Sequence, residues 1–162
     1  MKIEESTIVE TNDFKVIIYP ASRALTAKEV KEITEKLYDF LTTWNAHGKG
    51  LTSSFKIDHK QFIIITVDEE KVQASGCSMD SLNGVMREIE AEYQLGIFDR
   101  MKACYKENGE VKTMKLTDFR TAVRNGEISE EVEVFDFSKD TYVNYLSDFL
   151  LPFKRSWAGF IK

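Results

Sequence analysis

Residues 26–45, TAKEVKEITEKLYDFLTTWN, carry the pattern that decides the fold. Thr26 and Glu29 have the spacing of a capping box, which predicts that a helix begins at this point. The apolar residues that follow recur at helical intervals and share one face, namely Val30, Ile33, Leu37, Phe40, Leu41 and Trp44. His47, Gly48 and Gly50 break the pattern, so we predict an amphipathic helix that ends before them.

Short runs of β-branched and aromatic residues flank this helix. FKVIIY at 14–19, ended by Pro20, predicts a buried strand on its amino-terminal side. On the other side, LTSSFKI at 51–57 and FIIITV at 62–67 are separated by the turn DHKQ, which predicts a hairpin.

A second amphipathic helix and a second hairpin are predicted further along the chain. The helix starts near Ser78, ends by Gly96 and has an apolar face made of Leu82, Val85, Met86, Ile89 and Tyr93. The hairpin joins 101–106 to 111–116 through Asn108-Gly109, a pair that suits a type I′ turn. The order strand, helix, strand, strand, helix, strand predicts an α+β, ferredoxin-like (split βαβ) antiparallel sheet with two helices on one face.

The remaining residues predict an extension of this core. Its parts are a helix capped by Thr117 and stopped by Asn125-Gly126, a strand at 131–137 and a final helix at about 141–150. We expect the extension to cover a sheet edge or face. The chain is interpreted as a single domain over 1–162, with its core at about 14–116 and the extension at about 117–162.

Composition limits the classes of function. The formal net charge of −5 opposes non-specific binding to a phosphate backbone, so no nucleic acid partner is expected. No apolar run approaches the roughly 20 residues that a membrane span needs, and the stretch MKIEESTIVETND is unlike a signal peptide. Two cysteines, Cys77 and Cys104, suit free thiols in a reducing compartment. These features predict a cytoplasmic protein with no membrane span.

Chain direction predicts which polar residues meet. In a split βαβ unit, the loop that contains His47 and the loop between Asp68 and Cys77 lie at the same end of the sheet. His59, in the hairpin turn, lies at the opposite end, a strand length of roughly 17–20 Å away. The residues predicted to converge are Trp44, His47, Asp68, Glu69, Cys77, Ser78 and Asp80.

This cluster has a catalytic interpretation and a structural one. A Cys beside a helix amino terminus has its thiolate favoured, so Cys77 would be a nucleophile, His47 its base, and Asp68 or Glu69 the orienting carboxylate. In the structural interpretation, Ser78 and Asp80 belong to an ordinary capped helix, Cys77 packs as a small thiol and Trp44 lies in the core. His47 would then bind the last carbonyls of the first helix. No metal-ligand spacing occurs, and neither a metal nor another cofactor is expected.

Five short motifs carry a resemblance to known sequences: WNAHG (44–48), FIIITVDE (62–69), ASGCSMD (74–80), FDR (98–100) and SW (156–157). Together they resemble a family of small uncharacterised bacterial proteins often labelled "ABC transporter ATPase", over nearly the whole chain. Two positions differ from the family pattern. Met79 stands where that pattern has isoleucine, and the segment around Phe137 lacks the asparagine that the pattern has after V-F-D.

The family label implies a Gly-rich phosphate loop of the form G-x-x-x-x-G-K-[ST]. This sequence contains no such loop, because residues 48–52, GKGLT, hold those residue types in another order and precede a predicted strand. The resemblance therefore implies no ATPase activity.

The leading interpretation is a non-enzymatic module that binds a small ligand or a protein partner, with its site at His47 and Cys77. A homodimer formed through the sheet or a helix face is one option. The alternative is a thiol-dependent enzyme in which Cys77 is the nucleophile and His47 the base. A purely structural or partner-binding protein is the third interpretation.

Overall fold

A computed structural model describes residues 14–162. The stretch 1–13, on which the prediction about a signal peptide rests, lies outside the described residues. The strands are β1 (Phe14–Pro20), β2 (Asn45–Ala46), β3 (Lys49–Gly50), β4 (Thr52–Asp58), β5 (Phe62–Asp68), β6 (Lys102–Glu107), β7 (Glu110–Lys115), β8 (Glu133–Phe135) and β9 (Leu150–Pro152). The α-helices are α1 (Ala27–Thr43), α2 (Gly76–Tyr93), α3 (Leu116–Arg124) and α4 (Tyr142–Asp148), and two 3₁₀ turns follow, Phe153–Arg155 and Trp157–Phe160.

The first sheet has the strand order β1-β5-β4 and is antiparallel throughout. Its central strand, β5, places Ile65 opposite Ile17 of β1 on one side and opposite Phe55 of β4 on the other. Helices α1 and α2 cover one face of this sheet, and their buried residues share a single core with Ile63, Ile65 and Val67 of β5. The predicted α+β class, with two helices on one face, is confirmed.

The ferredoxin-like sheet is not completed, because the predicted fourth strand, β6, lies in a second sheet of order β7-β6-β8-β9. The free edge of β1 instead meets residues 140–141, where the Val16 amide donates to the Asp140 carbonyl at 2.9 Å and Lys15 forms a bridge with Thr141. The physical reason is that strands β1 and β5 are apolar on both faces, so the second face of the sheet also needs cover there.

The second sheet and α4 supply that cover. Phe14, Val16 and Ile18 of β1 point away from α1 and α2 and pack with residues of the later elements. The Phe62 ring, which is fully buried, lies 4.5 Å from the Phe135 ring and 5.2 Å from the Phe149 ring. The extension therefore forms half of a shared aromatic core and does more than cap an edge.

Within the extension, the predicted elements occur with altered bounds. Helix α3 begins at Leu116 after Lys115, which makes no side-chain capping bond, so Thr117 is a residue of the first turn and not the predicted cap. The helix stops at Asn125-Gly126 as predicted, and Thr141 caps α4. Strand β8 is shorter than the predicted 131–137 because it pairs between β6 and β9 over only a few residues.

The connection from α2 to β6 is held by two charged side chains. The Glu90 carboxylate accepts the backbone amides of Leu95, Gly96 and Ile97 at 3.0–3.1 Å. The buried Lys102 ammonium donates to the carbonyls of Pro20 and Gly96 at 2.6 and 2.8 Å, and burial lowers the pKa of this ammonium. The first half of the connection is thus held by a carboxylate of α2 and an ammonium of β6, through charge-assisted hydrogen bonds.

Helix α1 begins at the predicted capping box, and an ion pair reinforces it. Glu29 accepts from the Thr26 amide at 2.9 Å, and both of its oxygens accept from the Arg23 guanidinium at 2.8 Å. Chiefly because of the bonds from Arg23, the pKa of Glu29 falls from 4.5 to about 2, although burial of the carboxyl opposes the change.

We expect Glu29→Gln to lower the free energy of unfolding by about 1–2 kcal/mol at pH 7, a value discounted because Arg23 is half exposed. A carboxyl group whose pKa is lower in the folded state than in the unfolded state stabilises the fold when the pH is above the unfolded-state pKa. This stabilisation is lost as the pH falls through the folded-state pKa. The difference in free energy of unfolding between the wild type and the variant should therefore shrink as the pH is lowered from about 4.5 to 2. Urea unfolding at each pH measures this difference. Glu35→Gln, an exposed site on the same helix, should show no such trend.

Candidate functional site

The amino-terminal side of the candidate site is a small hairpin that follows α1. Strands β2 and β3 are joined by His47-Gly48, both with positive φ (53° and 79°), which is the geometry of a two-residue type I′ turn. Trp44 ends α1 just before this hairpin and is 3% exposed. The hairpin therefore holds the exposed His47 imidazole next to a buried indole.

The other side of the site is the first turn of α2. Ser75, not Ser78, is the cap: its Oγ accepts from the Ser78 amide at 3.1 Å, and the Ser75 amide donates to Ser78 Oγ at 2.7 Å. The helix thus begins two residues earlier than predicted, and Cys77 is its second residue. The Cys77 thiol is exposed. Ser78 is buried and has a structural role in this reciprocal cap.

These two segments border an open cavity of about 210 Å³, which we call the His47–Cys77 cavity. Its wall residues are Phe40, Thr43, Trp44, Asn45, His47, Ser75, Cys77, Ser78 and Ser81. The indole Nε1 of Trp44 donates to the Ser78 carbonyl at 2.8 Å and ties the end of α1 to the start of α2. Four of the predicted site residues, Trp44, His47, Cys77 and Ser78, therefore line one cavity.

The three predicted carboxylates do not line this cavity. Glu69 accepts from the Ala74 amide at 2.7 Å and Asp68 from the Glu70 amide at 3.0 Å, so both are used by the turn between β5 and α2. Asp80 is exposed on α2. The turn folds back on itself to satisfy its own amides, and this conformation directs the acidic groups to local backbone.

His59 lies at the other end of β4, as chain direction predicts. It follows the last residue of β4, whereas His47 lies before the first. Its ring packs 5.0 Å from the Phe135 ring, and its Nδ1 lies 2.8 Å from the Asp58 carboxylate. His59 is therefore half-buried at the margin of the core between the sheets and is separated from the His47–Cys77 cavity.

The cavity offers hydrogen-bonding groups that the protein itself does not use. Neither the His47 imidazole nor the Cys77 thiol makes a hydrogen bond or an ion pair with any residue in 14–162, including each other. The same part of the chain contains no group of three or more His, Cys, Asp or Glu residues that could hold a metal ion. Ser78 and Ser81 already donate their hydroxyl protons to the carbonyls of Ser75 and Cys77, at 2.8 and 3.0 Å. The arrangement can therefore bind a small polar molecule through the imidazole and the thiol, with serine oxygens as further acceptors.

Some wall residues were missed at the level of sequence. Ser75 and Ser81 contribute hydroxyls, and a helix start placed at Ser75 puts Cys77 inside the helix, so that Ser81, four residues later, lies on the same helix face. The motif residues Arg100 and Trp157 do not reach this site and line a different cavity. Their motifs contribute to the resemblance but do not predict a location.

Comparison of the chain with protein-family models, with curated proteins and with solved structures finds no match.

Residues 48–52 form the β2–β3 turn, β3 and the start of β4, so no helix follows them. A phosphate loop needs a helix at that position. Among residues 14–162, no helix has the length and apolar character needed to cross a membrane.

Proposed function

We propose that the protein is a non-enzymatic binding module that holds a small polar molecule in the His47–Cys77 cavity. The observation that carries this proposal is the convergence of the β2–β3 turn and the first turn of α2 on one cavity, with two side chains left available for a ligand. A rigid wall supports them, because Trp44 packs 5.7 Å from Phe40 and is bonded to Ser78. Fixed walls with a few free polar groups are the usual basis of ligand selectivity.

The size and polarity of the cavity define the ligand class. A volume of about 210 Å³ admits a metabolite well below drug size. Imidazole both donates and accepts, a thiol is a weak donor, and the hydroxyls of Ser78 and Ser81, whose protons are donated to backbone carbonyls, act as acceptors. A small neutral molecule with hydroxyl or amide groups matches this set, since the side chains that line the cavity include no carboxylate, lysine or arginine.

A thiol-dependent enzyme remains the second candidate, favoured by the presence of exposed Cys77 and His47 in the same cavity. A nucleophilic pair also needs a hydrogen bond from thiol to base and a third group that orients the base. Here Cys77 and His47 are not bonded, and Asp68 and Glu69 are used by the adjacent turn. Binding therefore fits the geometry better than catalysis does.

Cys77 provides a built-in reporter for the proposal. We expect iodoacetamide to modify the native protein at Cys77 only, because Cys104 is fully buried and burial raises the pKa of its thiol. A ligand seated in the cavity should slow this reaction and raise the melting temperature. Mass spectrometry of the alkylated protein, with cell metabolites screened as protectants, measures both the selectivity and the protection.

His47→Ala tests whether protection arises in the cavity. Its side chain is exposed and unbonded, so the variant should fold normally and lose the protection of Cys77. Asp80→Ala, on the same helix but outside the cavity, should keep it. Metabolites that fail to slow the modification of Cys77 at saturating concentration would contradict the binding proposal. A rate at Cys77 far above that of a free thiol, abolished in His47→Ala, would favour the enzyme.

A further inference from the structure

A second cavity, of about 260 Å³, lies where the start of β6, helix α3 and the segment after β8 meet. We call it the basic cavity, because Arg100, Lys102 and Arg120 line it together with a single acid, Asp136. It shares no wall residue with the His47–Cys77 cavity. The Lys102 ammonium donates to Pro20, Ser22 and Gly96, none of which is a wall residue, so Arg100 and Arg120 are the two cations left for a ligand.

None of the three cations forms an ion pair within residues 14–162. The Arg100 guanidinium donates to the carbonyls of Ile18 and Phe137 at 2.7 and 3.3 Å, and Lys102 also donates to neutral oxygens. Arg120 is exposed on α3 and makes neither a hydrogen bond nor an ion pair with any residue of that range. Carbonyl oxygens satisfy N–H groups but leave the positive charge uncompensated.

The one acid of the wall is already neutralised. Asp136 lies 3.3 Å from the Lys139 ammonium and accepts from the amide and the hydroxyl of Ser138 at 2.9 and 2.6 Å. Its carboxylate is therefore satisfied by its own loop. The basic cavity keeps an excess of positive charge, which favours a negatively charged ligand.

Apart from Ser138, the rest of the wall is apolar. Trp157 donates from Nε1 to the Phe135 carbonyl at 3.0 Å and packs 5.5 Å from the Phe119 ring. Phe137 faces the same cavity, and its carbonyl is the one that holds Arg100. Rings held in place in this way present an apolar surface at little entropic cost, which suits a planar ligand.

We propose that the basic cavity binds a small organic anion, whose carboxylate or phosphate lies against Arg100 and Arg120 and whose planar apolar body packs against Phe137 and Trp157. Guanidinium groups match both acidic groups because they present parallel N–H donors to two oxygens. The cavity volume limits the body to about one aromatic ring. This site is independent of the one proposed above.

The test is a titration of the ¹⁵N-labelled full chain followed by NMR, with the Trp157 indole N–H as a reporter inside the wall. Four probes separate the contributions: phenyl phosphate and phenylacetate carry both a ring and an anion, inorganic phosphate carries only the anion, and benzyl alcohol carries only the ring. We expect at least one aromatic anion to bind about tenfold more tightly than either partial probe, with saturable shifts at Arg100, Ser138 and Trp157.

Arg120→Gln removes one cation without disturbing a contact, so this variant should fold and bind the aromatic anion about tenfold more weakly. Arg87→Gln, an exposed arginine on α2 outside the cavity, should bind as the wild type does. Equal effects of the two substitutions, or equal binding of benzyl alcohol, would overturn the proposal. So would the absence of saturable shifts up to about 10 mM, or equal binding of inorganic phosphate, which would indicate an anion site without a ring pocket.

Discussion

Trp44→Ala should lower the free energy of unfolding by about 3–5 kcal/mol, the cost of truncating a buried tryptophan. The indole is 3% exposed, packs against Phe40 and belongs to the core beneath α1 and α2. Its Nε1 also binds the Ser78 carbonyl, so truncation separates the two walls of the His47–Cys77 cavity. Urea unfolding followed by circular dichroism measures the loss without relying on tryptophan emission.

Trp44→Phe is the matched control, because it keeps an aromatic ring and removes the hydrogen bond to Ser78. Its expected cost from that bond is about 1 kcal/mol. Protection of Cys77 by a ligand should survive in Trp44→Phe and disappear in Trp44→Ala. If both variants were equally stable, the packing of the indole would contribute nothing, and the wall of the cavity would have to be held elsewhere.

The second large effect is expected from Gly96→Ala, at about 2–4 kcal/mol. Gly96 has a φ of +74°, where a side chain is strained, and an added Cβ would lie 2.5 Å from Ser22 Oγ. Ser22 cannot turn away freely, since its hydroxyl accepts from the Lys102 ammonium at 2.8 Å. The variant must therefore accept a clash or lose a bond to a buried charge.

Gly109→Ala isolates the backbone contribution. Gly109 has a similar φ of +81° in the β6–β7 turn, but no atom lies within 4 Å of an added Cβ. Gly109→Ala should therefore lower the free energy of unfolding by only about 1–2 kcal/mol, the cost of a left-handed backbone conformation at a residue with a side chain. Chemical unfolding of both variants gives the difference, and equal losses would show that Ser22 and Lys102 accommodate the methyl group without strain.

The elements with strong local signals were predictable from the sequence. The capping box at Thr26 and Glu29 and the turn at Asn108-Gly109 act over a few residues, and both are present as predicted. The partner of β6 was not predictable, because strand pairing depends on contacts between distant residues. The run FKVIIY predicts a buried strand but does not indicate that Phe14, Val16 and Ile18 are covered by the later elements.

The candidate site was predictable in part, for a related reason. Chain direction brings His47 and Cys77 to one cavity, since it depends only on the order of β4, β5 and α2. The positions of Glu69 and Asp68 depend on which amides the following turn leaves unpaired, and the sequence does not reveal this. Lys102 lies in the predicted strand 101–106, but its burial depends on carbonyls from β1 and from the connection before β6, which the sequence does not reveal.

The division of the strands into two sheets also affects the order in which the chain can fold during synthesis. The face of β1 that carries Phe14, Val16 and Ile18 is buried by Phe135, Tyr145 and Phe149, which are made more than 100 residues later. A ribosome-bound chain can pack α1 and α2 on the first sheet while this other face stays open to water. The nascent chain thus exposes an aggregation-prone apolar surface until α4 leaves the ribosome. Chaperone binding has its greatest effect during this period.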